Sequence, residues 1–228
     1  MRKVGFLLIA LLLLAMVGAG CITSSSTSTT QGPPETRGPP EDKGYGAGAS
    51  TGVVDVSAYP VENLSPKEVE AILHMREEEK LARDVYLTLY NKTGLPIFEN
   101  IARSEQTHID MVLELIKKYN LTDPVAGMGV GEFNSTEMRE LYEKLVAQGS
   151  ESDVEALKVG ALIEEIDIKD LDEWLKHVDN GDIKAVFKSL RNGSENHLRA
   201  FTRLLQNRYG ITYTPQVLSE DEYRSIVG

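Results

Sequence analysis

The sequence predicts an all-α protein built on a four-helix bundle, with a long crossover between its second and third long helices and short extra helices. Three observations carry that expectation. Apolar residues recur at spacings of three and four through four long segments, the period of a buried helix face. Helix start and stop signals bracket those segments. No stretch shows the strict apolar–polar alternation of a half-buried strand.

The chain opens Met1-Arg2-Lys3, followed by an apolar run from Val4 to Val17 and then Gly18-Ala19-Gly20-Cys21. A basic start, a short apolar core and small residues describe a signal peptide over 1–20. The run is too short for a comfortable membrane span. Cys21 is the only cysteine and directly follows small residues, so cleavage before it with lipid on its thiol is expected. Gly18 stands where a lipoprotein box has leucine, which leaves an ordinary cleaved signal or an uncleaved anchor as the alternative. The expectation is an exported protein, anchored to the outer face of the cell membrane through Cys21.

Residues 21–60 are rich in Ser, Thr, Gly and Pro and cannot bury enough surface to offset their ordering entropy, so they read as a disordered tether. Residues 61–228 suit one folded domain. The net charge is −11, and loss of Arg2 and Lys3 with the signal deepens it to −13. Nucleic-acid binding wants a basic footprint, so no nucleic-acid partner is expected. Acidity attracts cations instead. A homodimer is compatible with the sequence.

Ser65-Pro66-Lys67-Glu68 has the spacing of a capping box with proline at the first helical position. It starts a helix over about 66–92 with the stripe Ile72, Met75, Glu79, Ala82, Tyr86 and Leu89, stopped at Gly94. Pro96 opens the next, about 96–119, with the stripe Ile101, Glu105, His108, Val112 and Leu115. Val125 to Phe133 is glycine-rich and irregular. Ser135 or Asn134 caps a shorter helix, 136–148, closed by Gly149. Ser150 or Ser152 starts 153–178, carrying Leu157, Ala161, Glu164, Ile168, Leu171 and Leu175. After the turn Asn180-Gly181, Asp182 is expected to cap 183–208, with Val186, Leu190, Ser194, His197, Phe201 and Leu204 on one face. Asn192-Gly193 is expected to mark a bulge or break there. Thr212 to Pro215 is extended, and Ser219-Glu220-Asp221-Glu222 begins a short final helix.

Each long helix thus places a polar group on its own apolar face near mid-length. The first offers Glu79, the second Glu105 and His108, the third Glu164, the fourth His197. Asp167, three residues after Glu164, leans to the same side. Charged groups are rarely buried unless paired or bound to metal. Carboxylates and imidazoles without thiols suit Fe or Mn, with Zn also compatible, and a bundle core lined this way commonly holds a metal pair. Glu78 and Glu165 are reserve ligands beside Glu79 and Glu164. His74 reads as structural or exposed, His177 as interacting with a helix dipole, Tyr86 as core ahead of a redox-active neighbour of the metals, and Arg199 as equally able to face a ligand carboxylate or outward.

The segments Glu78-Glu79-Lys80-Leu81-Ala82-Arg83-Asp84-Val85-Tyr86, Ser104-Glu105-Gln106-Thr107-His108, Ile163-Glu164-Glu165-Ile166-Asp167-Ile168 and Gly193-Ser194-Glu195-Asn196-His197-Leu198-Arg199-Ala200-Phe201 resemble the ferritin-like family known as domain of unknown function 2202. The likeness covers about 65–227. At superfamily level the pattern is similar to ferritin, bacterioferritin and rubrerythrin. That resemblance implies Glu79, Glu105, His108, Glu164 and His197 as ligands, and oxygen or peroxide redox chemistry as the activity. Ser194 stands where the superfamily has a second Glu-x-x-His glutamate. Asp167 or a locally distorted Glu195 would have to supply that carboxylate, or one metal position is weakened. No rubredoxin-like cysteine set is present, so an enzyme would need a separate electron donor.

Overall fold

The computed structural model describes residues 52–228, so the expected signal peptide, Cys21 and most of the expected tether lie outside the described residues. Among the described residues there are six α-helices and no strand: α1 Pro66–Thr93, α2 Pro96–Lys118, α3 Thr136–Gly149, α4 Asp153–Trp174, α5 Gly181–Tyr209 and α6 Glu220–Val227. A short 3-10 turn, Val56–Ala58, precedes them. Its Val56 is buried against the helices, and Lys118 Nζ donates to the carbonyls of Val56 and Tyr59. Packing therefore begins within the stretch read as tether.

The helix ends follow their local chemistry. Ser65 and Glu68 form the capping box of α1, and Ser219 and Glu222 form that of α6. Ser135 and Ser152 cap α3 and α4 through their hydroxyls. Gly94 ends α1 at φ 68°, a left-handed conformation that favours glycine.

Three local expectations are corrected. Helix α4 stops at Trp174, not near 178, because Glu68 accepts hydrogen bonds from the amides of Asp179 and Asn180 and holds that backbone off the helix path. Asp182 is not the cap of α5, which starts after Asn180. Its carboxylate is drawn across the bundle, accepting from Lys118 Nζ at 2.6 Å and Tyr119 Oη at 2.8 Å. Helix α5 also runs unbroken through Asn192-Gly193, where burial of Gly193 and Ser194 against neighbouring helices outweighs glycine's cost of about 1 kcal/mol in a helix.

The four long helices adjoin one another round a common interior: α1 packs on α2, α2 on α5, α5 on α4 and α4 on α1. Cross-contacts fix their directions. On α1 and α2, Arg76 reaches Ile109 while Tyr86 meets Phe98, so they are antiparallel. On α4 and α5, Tyr209 bonds Asp153 while Arg191 bonds Asp172, so these are antiparallel too. The long connection holding α3 lets α4 run parallel to α2, and α3 lies across α1 and α4. Charges on α1 pin that connection: Arg76 grips Asp123, and buried Lys80 donates to the Gly129 carbonyl while Asp84 accepts from the Gly131 amide.

The apolar interior is split in two. One cluster holds Tyr86, Phe98, Leu157 and Phe201, the other Ile72, Met75, Leu115 and Phe187. Gly160 permits the tightest helix approach in the first, since a Cβ there would lie 2.6 Å from the Phe201 ring. Gly160→Ala should therefore destabilise the fold by about 1–3 kcal/mol through overpacking, read as a lower denaturant midpoint at an unchanged slope.

Candidate metal centre

Between the two apolar clusters lies a buried polar layer. It is built from Glu78 and Glu79 on α1, Glu105 and His108 on α2, Glu164, Asp167 and Asp170 on α4, and His197 on α5. Helical spacing makes this possible: Glu105 and His108, or Glu164 and Asp167, stand one turn apart on one face.

Glu105 is the hub. Its Oε2 lies 2.8 Å from His108 Nδ1 and its Oε1 lies 2.7 Å from His197 Nδ1. His108 Nδ1 also meets Glu79 Oε2 at 3.1 Å, and His197 Nδ1 lies 3.4 Å from Glu164 Oε2. Two triads result, Glu79–Glu105–His108 and Glu105–Glu164–His197, each with ligand atoms within 4.8 Å of one another. The two imidazoles are stacked with centroids 5.6 Å apart. Five of the six expected ligands thus meet in one place. Asp167, the sixth, is buried alongside but belongs to neither triad.

Several of these atoms are close without being hydrogen-bonded. Both oxygens of Glu105, Glu79 Oε1, Glu164 Oε2, Asp167 Oδ2 and His197 Nδ1 are buried and have no hydrogen-bond partner. Each such group costs about 1–3 kcal/mol unless satisfied. A shared cation would satisfy them, because it accepts lone pairs from several directions at once. The donor set fits a divalent first-row metal.

The electrostatics point the same way. Burial raises the Glu79 carboxyl to about 8 against the pull of His108; burial would lower His108, but the charges of Glu105 and Glu79 raise it well above the usual imidazole range. Burial would lower His197, but the charges of Glu105 and Glu164 lift it to about 10. Burial also opposes ionisation of Glu105, yet flanking His197 and His108 hold it below the usual carboxylate range. Asp167 is raised by burial and by the negative charge of Glu79, Glu164, Glu78 and Glu105.

Neighbouring groups orient the donors. Ser104 Oγ sits 2.9 Å from His197 Nε2, which turns Nδ1 inward. Such outer partners fix the tautomer and angle of a ligating imidazole. Tyr86 Oη donates to Glu164 Oε1 at 2.5 Å. Tyr86 is fully buried as expected, but it touches the layer itself.

The alternatives resolve by position. Glu195 is held by Arg191 at 2.5 Å and Arg199 at 3.1 Å on the undistorted α5, so it does not replace the missing glutamate. Ser194 Oγ donates to the Leu190 carbonyl. Arg199 faces α6, donating to the Ile226 carbonyl. Glu165 turns from the layer and accepts from Tyr213 Oη and the amides of Gln216, Val217 and Leu218. Glu78 is buried, though in a different group from Glu79. It lies 3.0 Å from His74 Nε2, with Asp170 at 3.5 Å. His74, read as structural or exposed, is buried in an acidic setting. The i, i+4 spacing of His74 and Glu78 is the local signal of this pair, but nothing local ties it to Asp170 on another helix.

An all-helical protein with buried clusters of histidine and carboxylate that could hold metal is the class that fold and site define. Residues 68–228 match the family described as an uncharacterized protein domain, DUF2202, and the chain belongs to that family. It is 55% identical over 172 residues to the uncharacterized protein MJ0754 of Methanocaldococcus jannaschii, covering 75% of this chain and 92% of that one. The fold is similar to the crystal structure of hypothetical protein MJ0754 from Methanococcus jannaschii DSM 2661. The TM-score is 0.72 at 55% identity, over 74% of this chain and 95% of that chain.

Proposed function

We propose that the protein is an extracytoplasmic, ferritin-like metal protein whose carboxylate–histidine centre reduces peroxide or oxygen. One observation carries the reading: Glu105 is shared between two buried imidazoles while unpaired carboxylate oxygens from α1 and α4 converge beside it. Glu79, Glu105 and His108 would hold one cation, and Glu105, Glu164 and His197 a second. Asp167 is the nearest further carboxylate. Iron or manganese bound there would supply redox chemistry toward peroxide or oxygen.

The chain's own residues do the rest. Ser104 fixes the His197 ring, Tyr86 fixes Glu164, and the flanking apolar clusters exclude water. Low local dielectric strengthens every charge interaction in the layer. Glu79 and His108 would release protons on holding a cation there, because carboxylate and imidazole ligate in their deprotonated forms. Reduction of peroxide to water consumes two electrons and two protons. With Cys21 the only cysteine, the electrons come from a separate donor. The tether and a lipid on Cys21 would keep the domain at the outer membrane face.

Metal storage or scavenging without turnover is the second reading, favoured by Ser194, which removes one carboxylate from the layer. Anaerobic loading with Fe(II) followed by peroxide separates the two. Repeated stoichiometric cycles with added reductant are expected of the enzyme. A single slow oxidation, or none, sinks the catalytic reading and leaves storage.

A further inference from the structure

The central layer has a closed wall. Its ligand side chains are between 0% and 10% exposed, so a cation needs a route inward. The acidic group around His74 supplies one. His74 lines an open cleft of ≈ 650 Å³ between α1, α3 and the crossover, whose lining includes Glu70, Glu77, Glu137 and Trp174, with Lys67 paired to Glu70 at 3.2 Å and 5.6 Å from the Trp174 ring. Acidic walls concentrate cations from solution. Behind His74, Glu78 and Asp170 complete a third triad with ligand atoms within 4.8 Å.

A second observation separates this group from an ordinary buried ion pair. Glu78 and Asp170 are 4% and 1% exposed, yet Glu78 Oε2 and Asp170 Oδ1 have no hydrogen-bond partner. His74 Nε2 sits between the opposite oxygens of the same carboxylates, at 3.0 Å and 3.5 Å. Of the three, His74 lines the cleft, and Glu78 and Asp170 stand buried behind it.

The triad also adjoins the centre. Glu78 precedes ligand Glu79 in the chain, and Asp170 lies one helical turn beyond Asp167. Along α4, Asp167 stands one turn from both Glu164 and Asp170, and its buried Oδ2 has no hydrogen-bond partner. We infer that His74, Glu78 and Asp170 form a transit site that takes a divalent cation from the cleft and passes it by way of Asp167 to the buried centre. The destination rests on the metal reading above; the existence of the site does not.

Trp174 makes the site readable. It is the only tryptophan in the chain, and its ring lies 5.6 Å from that of His74. Mn(II) added to the metal-free full-length protein should quench tryptophan emission in the wild type and in Glu105→Ala/His108→Ala, but not in Asp170→Asn. Asp170→Asn should also bind one Mn(II) fewer per chain and fill the remaining positions at least tenfold more slowly. Unquenched wild-type emission with unchanged stoichiometry in Asp170→Asn overturns the site and leaves a plain buried ion pair. Lost stoichiometry with unchanged filling rate overturns the transit role. Full metal retention by Glu105→Ala/His108→Ala sinks the central reading alone. Should Asp170→Asn fail to fold, wild-type crystals soaked in Mn(II) decide: an anomalous peak among the three side chains supports the site, and its absence overturns it.

Discussion

Glu105→Ala combined with His108→Ala is expected to empty the centre, lowering its affinity for metal by at least about 100-fold. Loss of a mere outer-shell partner already costs 10–100-fold, and this variant removes direct donors from both triads. Glu105 contacts both imidazoles, at 2.8 Å and 2.7 Å. Metal analysis of protein purified without chelators reads the outcome. Content equal to wild type would mean that the central assignment is wrong. The single substitution Glu105→Ala should fare worse in folding than the double one. It leaves two buried imidazoles without their shared anion, and breaking a buried pair costs about 3–5 kcal/mol. Glu105→Gln, which keeps the shape, isolates loss of charge from loss of packing.

Saturating metal should raise the melting temperature strongly. A ligand that binds only the native state at 1,000 times its Kd contributes about 4 kcal/mol, which for a domain of this size corresponds to roughly 8–16 °C. A chelator should reverse the shift. The increment should grow as pH rises, because a proton competes with the cation for an imidazole whose metal-free pKa is about 10. Below that value each step up in pH removes competitor. Calorimetric scans with and without Mn(II) test both statements. A melting point indifferent to metal and chelator would favour a helical interaction domain in which acids and imidazoles merely pair with one another.

Helix limits were legible because their signals are local. Ser65-Pro66, Gly94, Ser152 and Ser219 act within a few residues of themselves, and each end falls where they place it. The end of α4 and the start of α5 were not, because Glu68 and Lys118, distant in sequence, decide them. The five residues that converge were legible as polar interruptions of apolar stripes. The His74 group was not, because α1 buries most of its circumference: Arg76, Glu78, Glu79 and Lys80 are all covered. A one-face reading of Glu77-Glu78-Glu79 selects a single inward acid, whereas neighbours on different sides bury two. Asp170 escaped for the same reason, its partner lying on another helix.

The pair Glu164-Glu165 has a mechanical corollary. Both are fully buried, adjacent and chemically alike, so α4 turned by one residue would present either to the interior. Three consecutive amides of the C-terminal segment donate to the Glu165 carboxylate and anchor it. The tail thereby acts as a detent on the rotation of α4, and a chain shortened before Gln216 would lose the stop that tells two identical acids apart.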